Sequence, residues 1–231
     1  MNAWLSPEQF ADLFTDEITA AGGRVLETFK DEARLFTRSV LPTMIEVGKN
    51  DSVKGGVAMR ATETDIFVHP YTFRMVCTNG AIMAQATQTC HISRENWFVH
   101  ECAEWDLEST VRAAVQRCCT IEAFTDSAEQ MRSAKAQTIN IALMLSTFMS
   151  GHRGAAMQSS FLEILRRYDQ ARDPSAFGLM NAVTSLARDT ADPELKWRLE
   201  ELGGGIPALA QRTPSPTPRH VSAWERETVE V

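Results

Sequence analysis

A chain of 231 residues, 44% of them hydrophobic, is long enough to bury a substantial core as one large domain or two small ones. Its formal charge of −7, from 30 acidic and 23 basic residues, disfavours indiscriminate adhesion to nucleic acid or anionic membrane, although it does not exclude a local basic groove. No stretch approaches the roughly 20 apolar residues of a membrane span, no basic segment leads into an apolar run at the N-terminus, and five cysteines with Cys118 beside Cys119 do not suit a fully paired disulfide framework, so the sequence reads as cytoplasmic and without a membrane partner.

The first predicted element is a helix. Ser6 is placed to cap it, Pro7 suits its first position, Gln9 completes a capping box, and Leu5 and Phe10 are spaced as a hydrophobic staple. Phe10, Leu13, Phe14 and Ile18 fall on one face, and Gly22-Gly23 supply the stop. From Arg24 onward the pattern changes to short segments rich in Val, Ile, Thr, Phe and Tyr, broken at Lys49-Asn50-Asp51, at Gly55-Gly56 and around 62–65, which predicts a sheet. Ile66 and Val68 alternate with Phe67 and His69 as on a strand between two environments, while Pro42 and Pro70 confine their segments to edges, ends or bulges. Cys77-Thr78-Asn79-Gly80 reads as the turn that closes the sheet, and 81–92, rich in Ala, Met and Gln, as a helical start.

Beyond Trp105 the period is helical. Asp106 caps a helix carrying Leu107, Val111, Ala114, Val115 and Cys118; a second runs from about Ser127 to Met149; Met157, Phe161, Ile164, Leu165 and Tyr168 mark a third. Asp173-Pro174 and Asp192-Pro193 each place a capping carboxylate before a proline and predict the last two helix starts. The Thr-Pro and Ser-Pro pairs of the final segment, together with scattered charge, predict a disordered tail over 207–231 in which Trp224 is the one anchor. The predicted fold is therefore α+β: one domain over 1–206, with a helix in 1–23, a β-rich part in 24–104 whose mostly antiparallel sheet occupies about 24–76, and a helical half in 105–206 packed on one sheet face.

Several groupings bear on chemistry. Cys77, Cys90, His91, His100 and Cys102 are zinc-type ligands, but without a Cys-x-x-Cys pair and with Cys90 and His91 adjacent they do not make a recognised site, so neither a metal nor another cofactor is expected. Cys77 is the best-placed thiol for a nucleophile, since it precedes a glycine turn and follows Arg74. Asn79-Gly80 could present backbone N–H groups to an anion, but the phosphate-loop, dinucleotide, zinc-protease and nucleophile-elbow motifs are all missing. The remaining signal is the interleaving of Arg38, Arg60 and Arg74 with Phe67, Tyr71 and Phe73, an arrangement that stacks bases and neutralises phosphates if folding gathers these side chains on one face.

The run from Lys49 to Met83 resembles the family known as domain of unknown function 932, a phage- and plasmid-like group. The resemblance rests on Gly56, Val57, Pro70, Phe73, Arg74, Val76, Cys77, Asn79 and Gly80, and on a downstream segment carried by Asn181, Ala182 and Thr184, so that it spans about 24–206. Asn50-Asp51 stands where the family has a Gly-Asp turn. It implies a role in mobile-element biology and brings no catalytic residues with it, leaving Cys77, Asn79, Gly80, His91 and Asn181 as motif positions of unassigned role. The leading expectation is a non-enzymatic accessory protein that binds single-stranded nucleic acid or a nucleoprotein through an open sheet face. The alternatives are a modulator that binds a host protein, such as an inhibitor of a defence system, and an enzyme with its site near Cys77, Asn79 and His91. A homo-oligomer is compatible with each.

Overall fold

A computed structural model describes residues 4–75, 77–99, 106–138 and 155–212. Val76, His100, Cys102, the second half of the helix expected to reach Met149, and most of the expected tail including Trp224 lie outside the described residues.

Helix α1 (Pro7–Ala20) forms as its punctuation dictates. The Ser6 hydroxyl accepts from the Gln9 N–H at 3.3 Å, the Gln9 side chain accepts from the Ser6 N–H at 2.9 Å, and Gly22 at φ 73° takes the left-handed conformation that ends the element. Phe10, Leu13, Phe14 and Ile18 are buried, each large side chain contributing about 1.5–3 kcal/mol of burial.

Strands β1 (Arg24–Lys30), β2 (Leu35–Val40), β3 (Met44–Gly48), β4 (Asp51–Ala61), β5 (Asp65–Arg74), β6 (Asn79–Ile82) and β7 (Cys90–Ser93) make one antiparallel sheet in the order β1-β2-β4-β5-β6. Two strands pair beside this path, β3 on β4 and β7 on β5, and both prolines sit where the partner changes. At Pro42 the chain sidesteps from β2 to β3, with the Leu41 N–H donating to the Gly55 carbonyl and the Gly55 N–H to Thr43. Pro70 lies between the stretch of β5 paired to β7, 65–68, and the stretch paired to β6, 71–74, so its missing N–H faces a gap in the ladder.

The helical start expected for 81–92 is not formed. Asn79–Ile82 and Cys90–Ser93 are both strands, with turns at 83–89, because pairing to β5 outweighs the weak helical preference of the Ala, Met and Gln residues. The sheet accordingly continues past residue 76 to Ser93.

The helical half contains α2 (Arg94–Val99), α3 (Leu107–Cys118), α4 (Glu122–Ala136), α5 (Ala155–Ala171), α6 (Ala176–Asp189) and α7 (Pro193–Arg212). Asp106 caps α3 as expected, and Asp192 accepts from the Leu195 N–H at 2.7 Å at the start of α7. Three expectations need correction. Helix α4 spans Glu122–Ala136 rather than starting at Ser127, with Ala123 and Phe124 already buried in its first turn. The cap of α6 is Ser175, not Asp173, whose carboxylate instead fixes the Ser175 N–H and hydroxyl. Residues 207–212, assigned to the tail, are the last turns of α7, where Ala208 and Ala210 are buried.

Helices cover both sheet faces, not the expected single one. Leu35, Val57, Met59, Ile66 and Val68 pack with α1 and α3, and next to them Val53, Ala81 and Met83 pack with α4, α6 and α7. The alternate positions Phe36, Ala58 and Tyr71, with Ile82, point the other way and are closed by Trp197 of α7. Fold class is α+β, as the change of hydrophobic period implies.

Candidate functional site

The strand register sorts the proposed nucleic-acid residues. Arg38 is opposite Ala58 and Ala58 opposite His69; Arg60 is opposite Phe67; Tyr71 and Phe73 follow on the same side of β5, so Arg38, Arg60, Phe67, Tyr71 and Phe73 share the face that carries Trp197. Arg74 does not. It belongs to the opposite face, where it forms a two-pronged pair with Asp51 at 2.8 and 2.9 Å and lies over the Phe177 ring. Burial pulls the Asp51 carboxyl up, but the Arg74 and Lys135 hydrogen bonds outweigh it and hold the group below the usual range.

The shared face is not open. Trp197 lies across it, and Arg38 and Tyr71 are only 2% and 3% exposed, which removes them as surface stacking or phosphate-binding groups in the way an open sheet would use them. Arg60 is also engaged, pairing with Glu194 at 3.1 Å and lying over the rings of Phe36 and Phe67. Beside α7 this face holds a cleft of about 300 Å³.

Arg38, Tyr71 and Gly80 form its depth, and a Cβ at position 80 would collide with the Tyr71 hydroxyl, so the glycine is required by the fit of ring to strand. Leu26 and Glu27 of β1 make one wall, Lys196 and Glu200 of α7 another, and half-buried Phe73, the Thr78-Asn79 turn and Arg188 complete the rim. The Arg38 Nε donates to Glu200 at 2.5 Å, and Lys196 donates to Glu27 at 2.6 Å. Burial pushes the Glu200 carboxyl up to about 7 against the pull of Arg38, and burial likewise raises the Tyr71 hydroxyl well above its ordinary value. The lining carries three cations, Arg38, Arg188 and Lys196, against two carboxylates, Glu27 and Glu200.

Behind the cleft is a void of about 10 Å³ lined by Asn79, Asn181 and Thr184. The Asn79 Nδ2 donates to the Thr184 hydroxyl at 2.5 Å, so the two segments that carry the family resemblance, 105 residues apart, meet here. Gly80 and Asn181 join them, whereas the expected turn into a helix at Asn79-Gly80 is a turn into β6.

The grouping of Cys77, Asn79 and His91 is not brought together. His91 is opposite Phe67, while Asn79 is opposite Arg74 at the other end of β5, a separation of about 20 Å at the usual rise of ~3.3 Å per residue. His91 stacks on Phe67 at 4.2 Å and bonds Asp65 at 2.8 Å. The Cys77 sulfur accepts from Arg74 at 3.2 Å, a positive neighbour as the sequence suggested, but His91 lies too far away to act with it. Among the described residues no three His, Cys, Asp or Glu side chains gather as metal ligands.

Sequence reasoning missed Arg188, Lys196, Trp197 and Glu200. Their signal was Lys196 and Glu200 four apart on one helix, followed by Gly203-Gly204-Gly205, a run that lets a helix approach another backbone closely. Comparison with family models, curated proteins and solved structures gave no match to this chain.

Proposed function

We propose that this chain is a binding protein that takes a nucleotide unit of single-stranded nucleic acid into the cleft beside α7, in the accessory role of a phage or mobile element that the family resemblance implies. The supporting observation is the joining, around one opening of about 300 Å³, of an accessible aromatic, Phe73, with the cations Arg188 and Lys196. That volume suits a single small ligand, and base stacking with phosphate neutralisation is the usual economy of single-strand binding. Arg188 is 43% exposed by side chain, where a phosphate would compete with its Asp189 pair and its bond to the Cys77 carbonyl, and Lys196 at 14%, paired to Glu27, stands nearer the depth.

The reading is tested by fluorescence anisotropy of a labelled single-stranded oligonucleotide at low salt. Binding at micromolar protein is expected, with log K falling against log salt at a slope of about −1.4 if two cations meet phosphate. Phe73→Ala and Arg188→Ala should each weaken it about tenfold or more, base stacking alone being worth ~1–3 kcal/mol. No binding at micromolar protein overturns the proposal.

A further inference from the structure

The two carboxylates that line the cleft differ in their contact with water. The Glu27 side chain is 47% exposed and that of Glu200 only 3%, so solvent screens the first charge and hardly reaches the second. Glu200 therefore imposes the stronger negative field on the cleft, and a phosphate drawn in by Lys196 and Arg188 has to meet it.

The groups that face Glu200 come from every side of the cleft. Arg38 of β2 donates to it through Nε, Tyr71 of β5 lies within its field, and Glu27 of β1 stands 3.9 Å from the same Arg38. Lys196 precedes it by one turn on α7, Arg188 of α6 completes the lining, and β6 brings no titratable side chain. Glu201, the next residue along the helix, is turned away toward His69 at 3.7 Å. Burial raises the Tyr71 hydroxyl far above its ordinary range, so that it stays neutral, and the arginines keep their charge throughout. With Glu200 ionised, the lining sets three cations against two carboxylates; with Glu200 protonated, it sets three against one. The neutral carboxyl still offers an oxygen to Arg38 Nε, so the change of charge does not require the pair to come apart. Burial already lifts this carboxyl to about 7, which makes the added proton inexpensive near neutrality.

We propose that the cleft takes up its phosphate-bearing ligand together with one proton, which is held on the carboxyl of Glu200. Glu200 acts through its charge and does not touch the ligand. The phosphate disfavours the ionised carboxylate, and by linkage whatever the phosphate adds to proton affinity the proton adds to phosphate affinity. The site thus fills on the acid side of neutrality and empties on the alkaline side. This inference rests on the proposed binding of a nucleotide in the cleft and adds the condition that controls it.

The test uses the full chain and oligo-dT at low salt, since neither a phosphodiester nor thymine changes charge near neutral pH. Affinity from fluorescence anisotropy is expected to rise about five- to tenfold between about pH 8.5 and about pH 6, as follows if bound phosphate raises the carboxyl by roughly one pH unit. Titration calorimetry at about pH 7.5, in buffers of different ionisation enthalpy, should show uptake of roughly half a proton per site. Glu200→Gln keeps an oxygen for Arg38 but cannot ionise. It should bind at the alkaline pH about as tightly as wild type at the acid one, and without the uptake. His91→Gln, at the far end of β5 from the cleft, should leave the uptake intact, so the source of the proton is decided even if the Glu200 variant does not fold. Binding that is unchanged or stronger at the alkaline pH, binding without proton uptake, or uptake that is retained in Glu200→Gln or lost in His91→Gln overturns this inference and leaves nucleotide binding standing. Absence of binding at every pH overturns both.

Discussion

Arg38 and Glu200 are taken almost wholly out of water, and the attraction between them offsets only part of a desolvation cost of several kcal/mol for each ion, which leaves the Glu200 carboxyl raised to about 7. Removing one partner strands the other. Glu200→Leu is expected to lower unfolding free energy by about 3–5 kcal/mol, and the double change Arg38→Met with Glu200→Leu to recover most of it, as read from urea denaturation. A single variant within ~1 kcal/mol of wild type would show the pair to be solvated after all. Titration gives a second check. With Glu200 raised by burial from 4.5 to about 7, the folded state holds a proton that the unfolded chain releases, so this group's contribution is complete below pH 4.5 and is lost as pH rises to 7. His69 acts in the opposite sense. Burial, aided by His91, lowers it from 6.5 to about 4, so its contribution is complete above pH 6.5 and is lost as pH falls to 4. Between pH 4.5 and 6.5, Glu200→Gln should therefore gain stability with rising pH more steeply than wild type, and His69→Gln less steeply. Parallel urea-midpoint profiles for the three proteins would contradict both assignments.

Helix α7 owes its placement to residues that ordinarily weaken helices. Gly203, Gly204 and Gly205 each cost about 1 kcal/mol against alanine in helix propensity. In return the helix comes close enough to seat Trp197 on Phe36 and Glu200 on Arg38. A Cβ on Gly204 would collide with the Ile82 carbonyl of β6, and one on Gly203 with the Thr184 methyl, whereas at Gly205 the nearest neighbour is the movable end of Gln85 at 3.3 Å. Gly204→Ala should thus destabilise by about 1–3 kcal/mol despite its better propensity, and Gly205→Ala should be neutral or stabilising, both measured by thermal unfolding. Equal gains at the two positions would mean that helix and strand are not in contact. The same element explains why the site was only half legible. The sequence reading left open whether folding gathers Phe67, Tyr71 and Phe73, and the period of two, a local property, sets all three on one face of β5. Which helix covers that face is a long-range outcome, and nothing in the spacing around Arg38 announces a partner 162 residues away.

For the molecule as a whole, the division into a sheet and a helical half was readable because hydrophobic period reflects burial directly. Three things were not. The strands at 79–82 and 90–93 have compositions that local preference cannot decide, and only their pairing with β5 makes them strands. The second covered face follows from the reach of α7, and the extension of that helix to Arg212 carries a proline, Pro207, that sequence reading takes for the onset of a tail. The long span between Arg38 and Glu200 also has a consequence for biosynthesis. One wall of the cleft is translated early and the other late, so at ~5–20 residues per second the nascent β1 and β2 wait about 10–30 s for the segment that completes the cleft. A chain still attached to the ribosome short of α7 has no cleft and shows Arg38 and Phe36 to solvent, so the cleft exists only once α7 has joined the sheet.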